Sequence, residues 1–130
     1  MTAPLLEEDL CKRTFVLALK DALNVVSGKW KLAIVCTMLS GPKSFTHIER
    51  LLPELSARML VRELRELELN GVVERLAPEG TASRFGKYAL TPSGRGLESV
   101  IVMMATWGQD HRKLAASAPN GVLRSEALPR

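Results

Sequence analysis

The sequence predicts a mainly α-helical chain with one small β-hairpin, an α+β fold whose core is built by helices. Three observations predict it. The 130 residues are 46% hydrophobic but only 5% aromatic, and the apolar set is mostly Leu, Val and Ala, which favours packed helices over a sandwich or barrel. Apolar side chains recur at helical intervals in segments that tend to open on Ser or Thr and close on Gly or Pro. Two short strand-like runs, separated by a stretch rich in Gly, Pro and Ser, stand between the last two helical segments. The length fits one domain with one core.

The first core helix is expected over Phe15 to Val26, where Phe15, Leu19, Ala22, Leu23 and Val26 share a stripe and Ser27-Gly28 ends it. A second runs from Lys29 through Trp30, Ile34, Val35, Met38 and Leu39 to the Ser40-Gly41-Pro42 stop. Ser44 is the expected N-cap of a short third helix carrying Phe45, Ile48, Leu51 and Leu52, closed by Pro53. Ser56 caps a fourth, which Asn70-Gly71 terminates. Val72 to Leu76 and Phe85 to Thr91 read as strands joined by a mobile loop, Ala77 to Arg84. Thr91-Pro92 supplies an N-cap and a first-turn proline for a last helix reaching about Ala116. Ser117 to Arg130 is expected to be a loose tail.

Eighteen Lys and Arg against 14 Asp and Glu give a net charge of +4 and a pI near 9.4, which fits a polyanionic partner. Glu7, Glu8 and Asp9 interrupt any leader-like start, and no apolar run has the length of a membrane span. The expectation is a cytoplasmic protein with no membrane partner. Cys11 and Cys36 are too few for a disulfide framework and lack neighbours at zinc-ligand spacing, so neither metal nor cofactor is expected. Cys36, between Val35 and Met38, is assigned to the core. Catalysis finds little support: His47 and His111 belong to no nucleophile or metal motif, and Gly94-Arg95-Gly96 lacks the third glycine of a nucleotide loop.

The fourth helix carries the functional signal. With Leu60 at the origin of a helical wheel, Leu64 and Leu67 fall within ~40° of it, and Arg58, Arg62 and Arg65 cluster on the opposite side. Such guanidinium groups reach phosphates and the O6/N7 edge of guanine in a major groove wide enough for a helix. The alternative is that the arginines pair with Glu63, Glu66 and Glu68 on a solvated surface. Short helix, turn and basic helix form a helix-turn-helix, and the following hairpin supplies a wing whose Arg84 and Lys87 reach backbone or minor groove. Lys43, Ser44, Ser56 and Met59 complete the candidate DNA-binding set.

The chain resembles the HxlR-type winged-helix regulators of bacteria, relatives of the MarR group. The resemblance rests on Ser27-Gly28-Lys29-Trp30-Lys31-Leu32, Gly41-Pro42-Lys43-Ser44-Phe45 and Leu52-Pro53-Glu54-Leu55-Ser56-Ala57-Arg58-Met59-Leu60. It continues through Arg62-Glu63-Leu64-Arg65-Glu66-Leu67-Glu68, Gly71-Val72-Val73-Glu74-Arg75 and Tyr88-Ala89-Leu90-Thr91. It implies a nucleoid-associated homodimer in which the N-terminal and last helices pair across a two-fold and two recognition helices meet successive major grooves. Apolar side chains on several faces of the last helix are compatible with that. Phe15, Leu19, Leu97, Val100, Ile101, Met104 and Trp107 are the expected interface. The organisation is then an N-terminal arm (1–13), a winged helix-turn-helix domain (14–116) that includes a dimerisation helix (92–116), and a tail (117–130).

The sequence also departs from that family. Members that sense oxidants carry a cysteine at the position that Leu17 occupies here; Cys11 lies six residues earlier. Cys11 precedes Lys12 and Arg13, whose charges favour a thiolate, and is a candidate redox site. The wing is longer than the family pattern and contains Gly80 and Gly86. A small apolar effector near Met103, Met104 and Trp107 is a further expectation, against plain packing. The alternative function is a winged-helix module that binds protein without specific DNA recognition.

Overall fold

A computed structural model describes residues 12–76 and 86–117. The chain divides into two compact units, Met1–Arg95 and Gly96–Arg130. The first contains α1 (Arg13–Val26), α2 (Lys31–Thr37), β1 (Lys43–Ser44), α3 (Phe45–Leu51), α4 (Ala57–Leu69), β2 (Val73–Leu76), β3 (Lys87–Leu90) and α5 (Pro92–Arg95). The second contains α6 (Leu97–Ala116). The N-terminal arm up to Cys11, the wing loop 77–85 with Gly80 and Arg84, and the tail from 118 onward lie outside the described residues.

Local chemistry sets the ends of the central helices. Ser44 Oγ accepts from the His47 amide at 3.1 Å and Ser56 Oγ from the Met59 amide at 3.2 Å, each satisfying a first-turn N–H that has no intrahelical partner. At the other end of α4, Gly71 takes a left-handed φ of +75°. Its amide bonds Glu68 O at 3.0 Å and the Val72 amide bonds Leu67 O at 2.9 Å, the paired closure that a glycine past the C-cap permits. Thr91 Oγ1 accepts from the Gly94 amide at 3.0 Å and donates to Gly71 O at 2.6 Å, so one hydroxyl caps α5 and ties it to the end of α4.

The expected hairpin is part of a three-stranded antiparallel sheet in the order β1-β3-β2. Lys43 faces Tyr88 and Ser44 faces Lys87 across β1 and β3, while Val73 to Leu76 run opposite Leu90 to Lys87. The core lies between sheet and helices: Ile34, Val35 and Met38 around α2, Ile48 of α3, Leu60, Leu64 and Leu67 of α4, and Val72, Val73, Tyr88 and Leu90 are all buried.

Three expectations are corrected. α1 buries none of its side chains and is not a core helix; Leu19 is 55% exposed, and Phe15 and Leu23 are exposed too. Its amphipathic stripe exists, but no side chain of it is buried; Val26, at its end, is half-buried. Cys36 is exposed, not core, because it lies ~200° around α2 from Ile34, on the face opposite the buried Ile34, Val35 and Met38. The helix expected from Pro92 to Ala116 is two helices, α5 and α6, separated at Gly96; glycine weakens a helix interior by about 1 kcal/mol relative to alanine, and Gly94 and Gly96 fall together here.

In the second unit, none of the residues of α6 is buried. Val100, Met104 and Trp107 are exposed, Trp107 at 66%, and Leu97 and Ile101 are half-buried. Met103 is also exposed. The Trp107 ring stacks on His111 one turn later, with centroids 4.6 Å apart.

Candidate nucleic-acid interface

α3, the Leu52–Ser56 turn and α4 form a helix-turn-helix, with Leu55 of the turn buried as its pivot. Because Leu60, Leu64 and Leu67 are at most 1% exposed, the rotation of α4 is fixed. Arg58, Arg62 and Arg65 therefore point outward, and all three are exposed. Met59, in the first turn, is half-buried.

Two of the acidic residues of α4 are drawn toward α2. Lys31 of α2 reaches Glu63 Oε1 at 2.7 Å and Glu66 Oε1 at 2.6 Å. Burial pulls the Lys31 ammonium down, but its hydrogen bonds to Glu63 and Glu66 and their charges outweigh this and hold it above the ordinary 10.5. The hydrogen bond from Lys31, then its charge, holds Glu66 below the ordinary 4.5. Arg62 approaches a carboxylate only at 3.7 Å, from Nη2 to Glu63 Oε2, and its side chain stays 65% exposed. Among the described residues Arg58 and Arg65 form no ion pair.

Beside α4 an open cleft of about 890 Å³ is lined by residues of β1, α3, α4 and the sheet, among them Ser44, Thr46, Arg65, Arg75 and Tyr88. Ser44 and Arg65 thus share one concavity, and Lys87, exposed on β3, is the ladder partner of Ser44. Lys43 is turned toward its own turn, where Nζ donates to Ser40 Oγ at 2.8 Å and Gly41 O at 3.2 Å. Arg75 is the residue that sequence reasoning missed. Its guanidinium lies 5.4 Å from the Tyr88 ring centroid, a cation–π contact whose only trace in the sequence is that Arg75 and Tyr88 fall opposite each other once the hairpin register is known. Among the described residues there is no cluster of His, Cys, Asp or Glu placed to hold a metal, and no helix is long and apolar enough to cross a membrane.

A helix-turn-helix with a basic outer face, followed by a hairpin that closes a three-stranded winged sheet with β1, defines a winged helix-turn-helix transcriptional regulator. Residues 25–116 match the HxlR-like helix-turn-helix family, and the chain belongs to it. It is 34% identical to the HTH-type transcriptional regulator YtcD of Bacillus subtilis over 77% of this chain and 79% of that one. It is 33% identical to the HTH-type regulator YodB of the same organism over 68% and 79%. Among solved structures, the redox regulator HypR in its reduced form superposes with a TM-score of 0.70 at 35% identity, covering 78% of this chain and 99% of that one. Quinone-bound YodB from Bacillus subtilis superposes with a TM-score of 0.62 at 30% identity, covering 72% and 98%. As a regulator of this family the protein is not an enzyme.

Proposed function

We propose that this regulator binds a pseudo-palindromic operator as a homodimer in the cytoplasm, with α4 in the major groove and the β2–β3 wing on backbone or minor groove. One observation carries the reading: Arg58, Arg62 and Arg65 are exposed together while Glu63 and Glu66 of the same helix are engaged by Lys31. A protein-binding module would fit arginines buried in carboxylate pairs; an exposed cationic face fits phosphates and base edges. Ser44, Ser56, Met59, Lys43, Arg84 and Lys87 are proposed to complete the contact. Homodimer formation is supported by the exposed apolar side chains of α1 and α6, among them Leu19, Leu23, Met104 and Trp107.

Fluorescence anisotropy with a labelled duplex carrying the promoter of its own gene tests DNA binding. The expected result is binding that weakens steeply with salt, as phosphate neutralisation requires. No binding at low salt overturns the reading.

An effector is part of the proposal. HypR is named a redox regulator and YodB has been solved with a quinone bound; a redox or small-molecule signal of that kind is proposed to release this protein from DNA. Leu17, at the family's sensing position, is an exposed side chain on α1 and no thiol, so the thiols open to such a signal are Cys11, the candidate from sequence, and the exposed Cys36. Thermal melts with diamide and with a quinone test this: a shift in Tm is expected, and melts unmoved by both reagents count against an effector of this chemistry.

A further inference from the structure

We infer that Lys31 is a positioning residue for DNA recognition: by holding Glu63 and Glu66 on the α2 side of α4, it limits Arg62 to one long ion pair and keeps its guanidinium exposed to DNA. The inference rests on the DNA-binding reading above and assigns a role to a residue that does not itself reach the DNA face.

A lysine 7% exposed in the helical core costs desolvation that an apolar side chain between α2 and α4 would avoid. It is tolerated because two carboxylates meet it, Glu63 at 2.7 Å and Glu66 at 2.6 Å. Both belong to the helix that carries the arginines. In an isolated α4, Glu66 follows Arg62 by one turn and lies ~40° from it on the wheel, the spacing at which helical ion pairs form. A guanidinium already chelated by a carboxylate has fewer donors for a guanine edge, and the carboxylate repels the phosphates beside it. Here Glu66 bonds Lys31 of α2 instead and acts on Arg62 through charge alone, while Arg62 stands 3.7 Å from Glu63. The interhelical pair thus draws Glu63 and Glu66 toward α2 and leaves the Arg62 guanidinium exposed.

The test is an anisotropy titration of wild type and Lys31→Met, each with folding checked by circular dichroism, on the promoter duplex and on a random duplex between ~50 and ~200 mM salt. Lys31→Met is expected to bind the promoter about three- to tenfold more weakly, with the salt slope shallower by about one contact. Adding Glu66→Gln should return affinity to within about twofold of wild type, and in an Arg62→Ala background Lys31→Met should change nothing further, as coupled sites require. Lys31→Gln, which keeps a donor for Glu63, serves if the methionine variant does not fold. A folded variant that binds like wild type overturns the inference, as does a loss that persists in both the Glu66→Gln and the Arg62→Ala backgrounds. Failure of the wild type itself to bind overturns the DNA reading and this role with it.

Discussion

At the scale of single residues, exposure and hydrogen bonding separate side chains that the sequence groups together. Arg62 has an exposed guanidinium with only a long ion pair to Glu63, so Arg62→Ala is expected to weaken specific binding by ~1 to 3 kcal/mol and to relax preference at the position it reads. Lys43 is held by Ser40 and Gly41, and Lys43→Ala is expected to cost less and to affect promoter and random duplex alike, as a backbone contact does. Anisotropy with both duplexes checks the pair: an Arg62→Ala loss equal on both would remove Arg62 from base readout. Gly94 makes a different argument. A Cβ there would collide with the Val72 carbonyl oxygen, the acceptor that fastens the Thr91 amide at 3.0 Å. Gly94→Ala is therefore expected to destabilise by ~1 to 3 kcal/mol through overpacking, read as a lower midpoint in urea at unchanged m-value. An unchanged midpoint would show that α5 can shift freely.

At the scale of elements, the Lys31–Glu63–Glu66 cluster couples α2 to α4, and its pH dependence has a definite sign. Glu66 is held below its ordinary value by Lys31, so its contribution is complete above about pH 4.5 and is lost as pH falls through the lowered value. Lys31 is held above 10.5, so its contribution is complete below that pH and lost only as pH rises through the raised value. Thermal melts of wild type and Glu66→Gln should differ at neutral pH and converge in acid; a gap that persists in acid would detach Glu66 from Lys31. The same cluster shows what sequence could and could not reveal. Caps and stops are local chemistry, so Ser44, Ser56, Thr91 and Asn70-Gly71 could be read directly, and α4 lies within a residue or so of its expected limits. The arginine face was legible because the helical period alone places it. Whether those arginines or Lys31 would take the glutamates was not, because the lysine is supplied by a helix 32 residues away in sequence. β1 was hidden for a related reason: two residues hold no period, and Lys43-Ser44 is a strand only because Tyr88 and Lys87 lie opposite. Cys36 was misplaced because an apolar window averages over faces that the packing of Ile34, Val35 and Met38 tells apart.

At the scale of the whole molecule, the unresolved account is of apolar surface. The core of the first unit is closed by α2, α3, α4 and the sheet, while α1 and α6 contribute no buried residue to any core. Their exposed Phe15, Leu19, Leu23, Val100, Met104 and Trp107 amount to more apolar side chain than water-facing helices usually carry, and burying each against a partner chain is worth ~1.5 to 3 kcal/mol before the cost of association. A second copy is the proposed occupant, and it would also give DNA recognition its geometry, since a two-fold sets two α4 helices about one helical turn of DNA apart. Size-exclusion with light scattering is expected to return twice the 14.3 kDa of one chain at micromolar concentration. Trp107→Glu, which puts a charge at the most exposed aromatic of α6, should shift the population toward monomer while leaving the helical signal in circular dichroism intact. The monomer should then lose operator affinity far more than random-duplex affinity, because one recognition helix reads half a site whereas phosphate attraction needs no two-fold. A wild-type chain that elutes as a monomer and still binds a symmetric operator tightly would contradict the dimer and require α1 and α6 to cover their apolar faces in another way.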